Sequence, residues 1–237
     1  MSSYSYEMQD ISAMALLMQG EKQNTFLDIG CRDPKEGNNS LLLEQNGWQG
    51  LCVDIDDHCQ AFEEKRKTPF FKVDSTGEEF ISILLKHFPK RHIDYISLDV
   101  DEASLQTLEN LLKNNFNCSF MTFEHDYHYV LSNARVLCHK KNASWDYQGT
   151  DRKKEHIESC KFKSKSLLEK KGYKLLFENV CFYEETTNQW PHPWEDWWIN
   201  PALFDHKYLT YLESVMSKNI HFKDCFNRIS LVRSVDS

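Results

Sequence analysis

The most informative stretch of this chain reads Phe26-Leu27-Asp28-Ile29-Gly30-Cys31-Arg32-Asp33-Pro34-Lys35-Glu36-Gly37-Asn38-Asn39-Ser40. An apolar run ends at Asp28 and Gly30, a polar loop with a second glycine, Gly37, follows, and a helix-like segment begins at Ser40. Gly30 lets the backbone approach a ligand because no side chain stands in the way. This order is typical of a buried strand that turns into a helix around a nucleotide-like ligand.

Length and charge narrow the class of protein. The chain has 237 residues, of which 41% are hydrophobic, and this predicts one large domain with a sizeable core. The formal net charge is −8, whereas a general binder of phosphate backbones normally needs a basic face. Nucleic acid is therefore not the expected partner, and the sequence leaves open whether the chain forms a homo-oligomer.

The expected compartment is the cytoplasm. The weak apolar stretch 13–18 has no basic region before it, so we expect no signal peptide. No apolar run approaches the roughly 18–20 residues of a membrane span. The eight cysteines are scattered, and none lies two to four residues from another. That spacing disfavours a zinc knuckle and agrees with a reducing compartment.

Strand-like and helix-like segments alternate along the chain. The predicted strands are 25–29, 50–55, 70–73, 93–100, 119–123 and, as one or two strands, 173–183. The predicted helices are 41–46, 59–65, 78–87, 105–114 and 164–171. Repeated βα units of this length predict an α/β fold in which helices cover both faces of a mostly parallel sheet. In such sheets the ligand lies at the carboxyl ends of the strands.

The first five predicted strands all end at an acidic residue or lead directly into one. These residues are Asp28, Asp54, Asp74, Asp99 and Glu124. A row of carboxylates along one sheet edge is costly by mutual repulsion, so it favours a site for hydroxyls, an ammonium, a sulfonium or a metal ion. The alternative, that acids cap strand ends and helix N-termini, stays open.

The glycine spacing separates two common nucleotide sites from this one. A dinucleotide fold needs Gly-x-Gly-x-x-Gly, but here the next glycine after Gly30 is Gly37. A P-loop needs Gly-Lys-Ser/Thr, which does not occur in the chain. The arrangement instead resembles a class I S-adenosylmethionine-dependent methyltransferase, which implies a Rossmann-like fold with a mostly parallel seven-stranded sheet.

Within that class the chain resembles the FkbM-like family over about residues 24–126, with a weaker tail to about 183. The first family motif, Asp-Val-Gly-Ala-Asn-x-Gly-x-x-Ser, is similar to residues 28–40, with three extra residues within Asp33–Glu36 and Arg32 at the usual Asn. Gly47-Trp48-Gln49-Gly50 is similar to Gly-Trp-x-Gly. Residues 93–102 are similar to Ile-Asp-x-x-x-x-Asp-Val-Glu-Gly, and Asp101-Glu102-Ala103-Ser104 departs from the usual Glu-Gly-x-Glu.

The resemblance implies S-adenosylmethionine as cofactor, with a cofactor-binding core at about 20–130 and a variable acceptor-side region at about 131–237. In the family the glycine loop passes under the methionine part, the acid of strand two holds the ribose, and the acid after strand three reaches the adenine. The implied cofactor-binding residues are Asp28, Gly30, Arg32, Gly37, Ser40, Asp54, Ile55, Asp74, Ser75 and Asp99.

Methyl transfer needs the two reactants to be positioned and, for a hydroxyl acceptor, a base. The candidate catalytic residues are Asp99 as a positioning residue and Glu124 or His125 as a base. Asp99, Asp101 and Glu124 are also candidate ligands for Mg²⁺ or Mn²⁺, which favour oxygen-rich sites. The expected reaction is O-methylation of a saccharide or related small-molecule hydroxyl.

Two segments leave alternatives open. Residues 135–174 carry twelve Lys/Arg against five Asp/Glu, which suits either an RNA-ribose methyltransferase or a solvated excursion. Residues 190–201 hold four of the six tryptophans and predict either an aromatic plug for the sheet or a wall for the acceptor. A third reading is a binding module that kept the fold and lost catalysis, which the departures at Arg32 and Glu102 motivate.

Overall fold

The computed structural model describes residues 3–18, 23–125, 127, 130, 151–182 and 192–231, and the strands of these residues form one eight-stranded sheet. The strands are Thr25–Ile29 (β1), Gln49–Asp54 (β2), Phe70–Lys72 (β3), His92–Leu98 (β4), Asn117–Glu124 (β5), Lys174–Phe182 (β6), His192–Ile199 (β7) and Ser217–His221 (β8). The α-helices are Gln9–Leu17 (α1), Leu41–Gln45 (α2), Cys59–Lys65 (α3), Glu78–His87 (α4), Ser104–Lys113 (α5), Asp151–Lys170 (α6), His206–Val215 (α7) and Phe222–Ser230 (α8).

The strand order is β3-β2-β1-β4-β5-β7-β6-β8. Neighbours among β1 to β5 pair in parallel, β7 pairs antiparallel with both β5 and β6, and β8 pairs in parallel with β6. The mostly parallel sheet is therefore confirmed, but the expected seven strands are wrong. Neither β7 nor β8 was predicted as a strand, and β8 was missed because Ser217–His221 is polar and buries only Ile220, as an edge strand does.

Helices cover both faces of the sheet, as the βα alternation predicts. On one face α1, α7 and α8 pack against the strands through residues such as Leu16, Leu212 and Ile229. On the other face α4, α5 and α6 pack through residues such as Leu84 and Leu111. Strands β4 and β5 are buried along nearly their whole length, because a parallel strand between two helical layers is covered on both sides.

The strand order reverses between β1 and β4, which are neighbours although two strands separate them along the chain. In doubly wound sheets a crevice opens at the carboxyl ends of the strands at such a point. Here that point lies between the loop after Ile29 and the loop after Leu98, where the Asp99 amide donates a hydrogen bond to the Ile29 carbonyl at 3.0 Å. The glycine loop is thus placed at the switch point of the sheet.

The tryptophan-rich segment forms strand β7 for most of its length. Trp197 and Trp198 are fully buried on opposite faces of the sheet, and this is the arrangement of an aromatic plug. Trp190 lies outside the described residues, as do residues 135–150 of the basic region. The remainder of that region belongs to α6, which begins at Asp151 rather than at the expected Ser164, because its first turns are too polar to show an apolar period.

Three elements have the predicted bounds, namely β1, α3 and α4. The helices α1, α7 and α8 were not predicted. Among the described residues no helix combines the length and the apolar character needed to cross a bilayer.

Candidate functional site

A pocket of about 220 Å³ lies at the switch point, at the carboxyl ends of β1 and β4. Its lining consists of Tyr6, Asp28, Gly30, Cys31, Arg32, Asp33, Glu36, Gly37, Asn39 and Asp99. A larger pocket of about 680 Å³ lies at the opposite edge, beside the first residues of β1, β2 and β4. The smaller pocket is the candidate site, because ligands of parallel sheets bind at the carboxyl ends of the strands.

Gly30 brings the first loop against strand β4. Its φ is +83°, and a Cβ atom at this position would lie 1.6 Å from the carbonyl oxygen of Asp99. No side chain fits that space, so the close approach of the two loops requires glycine. In this structure the close neighbour of Gly30 is the backbone of Asp99, and the expected approach of Gly30 to a ligand stays a prediction.

A buried polar network fixes the shape of the glycine loop between β1 and α2. The side-chain nitrogen Nδ2 of Asn38 donates to the carbonyls of Cys31 and Asp33 at 3.2 and 3.1 Å, and the side-chain oxygen Oδ1 accepts from the backbone amide of Leu41 at the start of α2. Asn38 is 1% exposed. Sequence reasoning missed it, although an Asn three residues before an apolar helical run is a capping signal.

Asp28 and Ser40 also belong to this buried network, in which their side chains bond to each other. The Ser40 hydroxyl donates to Asp28 Oδ2 at 2.7 Å, and Arg66 donates to Ser40 Oγ at 3.2 Å. Burial raises the pKa of Asp28 to about 6, although Ser40 and Arg66 act in the opposite direction. Asp28 therefore helps to hold the loop and also contributes to the pocket lining.

Asp54 ties the loop after β2 to the glycine loop. One carboxylate oxygen accepts the Arg32 amide at 2.9 Å, and the other accepts the Asp56 amide at 3.0 Å. Ile55, the next residue, is 66% exposed. Asp54 therefore bonds to a residue of the pocket lining, Arg32, but neither Asp54 nor Ile55 lines the pocket itself.

Asp74 and Ser75 are engaged elsewhere. Asp74 is exposed and accepts bonds from the Thr76 amide and hydroxyl, which lower its pKa. The Ser75 hydroxyl is buried and bonds to Thr107 of α5 at 2.7 Å. Neither residue contributes to the pocket lining, so their cofactor roles stay a prediction.

The proposed metal ligands do not come together. Among the described residues, the three that bring ligand atoms within 4.8 Å of one another are Asp54, Asp56 and His58, and not Asp99, Asp101 and Glu124. Asp101 sits in an exposed turn with φ +48°, whereas Glu124 stands opposite Glu195 of β7. The described structure therefore gives no support to the expected trio.

His125 lies in a buried ionic network. The neighbouring Tyr127 amide donates to Nδ1 at 3.1 Å, while Nε2 lies 3.3 Å from Asp196 Oδ1. Lys161 Nζ is 3.2 Å from both carboxylate oxygens and 3.1 Å from Nε2. The three side chains are at most 2% exposed.

The charges in this network compensate one another. Burial lowers the pKa of His125 and of Lys161. Burial acts to raise the pKa of Asp196, but His125 and Lys161 outweigh it and hold the pKa below its ordinary value. Both ring nitrogens of His125 have partners and the residue does not line the pocket, so the geometry favours a structural role over the predicted one as a base.

A carboxyl pair on the other face of the sheet, the half-buried Glu7 and the buried Glu195, escaped the sequence analysis. Gln9 Nε2 donates to Glu7 Oε2 at 3.0 Å and to Glu195 Oε2 at 3.3 Å, and Trp197 Nε1 donates to Glu195 Oε1. Burial raises the pKa of Glu7 to about 7 and that of Glu195 to about 8, with Asp99 adding to both. A glutamate inside the aromatic run 194–198 was the signal in the sequence.

Comparison with known proteins gives one distant structural similarity and no family for this chain. No protein-family model matches the chain, and no curated protein matches it. Among solved structures, the chain is similar to a DUF574 family protein from Streptomyces avermitilis MA-4680, with a TM-score of 0.49 and 14% sequence identity over 82% of this chain and 81% of that one.

Proposed function

We propose that this protein is an S-adenosylmethionine-dependent methyltransferase that binds its cofactor at the carboxyl ends of β1, β2 and β4. The observation that carries the proposal is the contact of Gly30 with the Asp99 carbonyl at the point where the strand order reverses. The pocket at this contact is lined by Gly30, which has no side chain, and by two acidic residues, Asp28 and Asp99. Carboxylates of this kind stabilise a nearby positive charge such as a sulfonium.

The residues present fit such a cofactor. Gly30, Arg32 and Gly37 line the pocket where the methionine part would lie. Asp54 accepts one backbone bond on each oxygen, so each oxygen retains a lone pair for a ribose hydroxyl. The exposed side chain of Ile55 offers an apolar surface for a base. When bound, the cofactor supplies a methyl group on a positively charged sulfur.

The acidic surroundings favour a neutral hydroxyl acceptor, and we propose a saccharide or related small molecule. Asp99 lines the pocket and would position the reactants. Glu124 remains a candidate base from its place at the end of β5.

RNA is the second candidate acceptor, and the lining of the pocket opposes it. Four acids, Asp28, Asp33, Glu36 and Asp99, face one cation, Arg32. A phosphate backbone would be repelled from such a site. A binding module without activity would share the cofactor site and differ only in turnover.

Calorimetry with S-adenosylhomocysteine tests the cofactor assignment. We expect the intact protein to bind and Asp54→Ala to weaken binding at least about tenfold, equivalent to about 1.4 kcal/mol. Asp57→Asn is the matched control, because Asp57 is an exposed acid in the same loop whose carboxylate lies 3.8 Å from Lys72. Absence of binding by a folded wild-type protein would refute the proposal.

Transfer of a labelled methyl group to a mixture of glycans then separates an enzyme from a binding module. We expect label in a neutral saccharide. Label in RNA, with binding that falls steeply as salt rises, would select the second candidate instead. Cofactor binding without transfer to either acceptor would favour the inactive module.

A further inference from the structure

The segment 3–8 is fastened beside the candidate pocket by one buried carboxylate. Asp10 is fully buried. Its Oδ2 accepts the Tyr4 amide at 2.8 Å, and its Oδ1 accepts the hydroxyls of Ser3 and Ser5 at 2.5 and 2.8 Å. These charge-assisted bonds are stronger than neutral ones, so the segment has a defined course in front of the sheet edge.

This course places the ring of Tyr6 over the glycine loop. A Cβ atom at Gly37, whose φ is +66°, would lie 2.2 Å from Tyr6 Cε2 and 2.8 Å from two further ring atoms. The ring therefore rests on the bare backbone of Gly37. Tyr6 lines the candidate pocket and is nevertheless 64% exposed, so it forms the outer wall, with solvent on its other side.

The pocket is small for a ligand site, so one of its walls has to move when a ligand binds. Ligand pockets usually enclose about 300–1,000 Å³, whereas this one has about 220 Å³. The inner walls are tied down, since Gly30 presses on Asp99 and Asn38 bonds across the loop. Tyr6 is the lining residue whose side chain reaches from outside the sheet and its loops.

Its chemistry suits a cation. The face of an aromatic ring attracts a positive charge within about 6 Å, and the ring here stands among Asp28, Asp33, Glu36 and Asp99. Resting on the proposed function, we infer that Tyr6 is a positioning residue of the cofactor site whose ring shifts outward and packs on the sulfonium end of bound S-adenosylmethionine.

Two ligands separate charge recognition from simple contact. Sinefungin carries an ammonium in place of the sulfonium, and S-adenosylhomocysteine is neutral at that position. We expect Tyr6→Ala to weaken the binding of sinefungin at least about tenfold and that of S-adenosylhomocysteine about threefold or less. Calorimetry measures both affinities. Tyr6→Phe keeps the ring face and is expected to bind both ligands within about twofold of the wild type.

Phe162→Ala is the matched control, because Phe162 is an aromatic residue on α6 that is 54% exposed and does not line the pocket. Melting temperatures of all variants show whether the fold is kept. A side chain at Gly37 would displace the Tyr6 ring. Gly37→Ala as a single substitution should therefore weaken the binding of sinefungin, and it should weaken that binding less when Tyr6→Ala is already present.

The outcomes divide cleanly. A wild type that binds neither ligand overturns the proposed function and this inference with it. A wild type that binds both, with Tyr6→Ala unchanged or with equal losses for the two ligands, overturns the recognition of charge by Tyr6 and leaves the proposed function standing. Additive effects of Gly37→Ala and Tyr6→Ala also overturn the inference.

Discussion

Gly30 and Asp99 touch through their backbones, and a Cβ atom on Gly30 would lie 1.6 Å from the Asp99 carbonyl oxygen. The two residues directly follow β1 and β4, which are neighbours in the sheet but are separated by two strands along the chain. Their contact sets the depth of the candidate pocket, because the glycine loop can descend onto β4 only where no side chain intervenes.

Gly30→Ala is expected to unfold the protein or to lower the free energy of unfolding by more than about 4 kcal/mol, since the new atom meets backbone that cannot yield. Gly47→Ala is the control, because Gly47 has the same φ of +83° and nothing within 4 Å of its Cβ position. We expect Gly47→Ala to cost only the left-handed backbone strain of about 1–2 kcal/mol. Urea denaturation measures both, and equal costs would contradict the steric argument.

Asp10→Ala is expected to release the segment 3–8 from the sheet edge. The substitution removes a fully buried carboxylate that accepts bonds from Ser3, Tyr4 and Ser5. A loss of about 2–4 kcal/mol in the free energy of unfolding follows. It is smaller than the sum of three bonds to a charged group at about 1.5–3 kcal/mol each, because the partly buried donors of Ser3 and Tyr4 can bond to water instead. Hydrogen exchange should show faster exchange at the Tyr4 amide, and unchanged protection there would refute the anchoring role.

Lys161→Met is expected to destabilise the protein by about 3–5 kcal/mol, because it leaves the Asp196 carboxylate buried with one partner fewer. Lys165→Met, on the same helix, removes a partly exposed ion pair with Glu178 and should cost at most about 1 kcal/mol. Thermal or urea unfolding of the two variants gives the comparison. Similar costs would mean that the buried network contributes no more than the exposed pair.

Glu7 and Glu195 should make the free energy of unfolding decline as the pH rises from about 5 to 8. Their pKa values in the folded protein, about 7 and about 8, lie above the ordinary value of about 4.3. The folded state therefore binds their protons more tightly than the unfolded state does. Their contribution to the free energy of unfolding is fully present below their pKa in the unfolded state. It is lost as the pH rises through their pKa values in the folded state.

Glu7→Gln removes one of these charges and keeps an oxygen that can accept the bond from Gln9. We expect it to raise the free energy of unfolding at pH 8 by about 1–2 kcal/mol, with little effect at pH 5. Glu63→Gln on α3 is the control for removing an exposed charge. An equal change at both pH values would show that Glu7 is ionised across the range.

Part of the fold followed from local signals. The predicted bounds of β1, α3 and α4 are confirmed because each has its own apolar period and its own boundary residues. Gly30 could be identified because a tight strand-to-helix turn restricts the residue type. The acids at the carboxyl ends of the strands followed from parallel pairing, which brings those ends to one edge.

Other features depend on pairing between distant segments. The tryptophan-rich segment became a strand because β5 and β6 leave a place between them for an antiparallel neighbour. Once it pairs there, Glu195 and Asp196 face opposite sides of the sheet. Glu195 meets Gln9 on one side, and Asp196 meets Lys161 and His125 on the other.

By itself the sequence determined the alternating βα organisation, the glycine turn after β1 and the acid at the end of each of the first five strands, because each rests on residues close together in the chain. Only the tertiary structure decided that Tyr6 covers Gly37, that Glu7 joins Glu195 through Gln9, and that His125 is enclosed by Lys161 and Asp196. These contacts join residues from distant parts of the chain, and such contacts leave no local period or spacing from which they could be predicted.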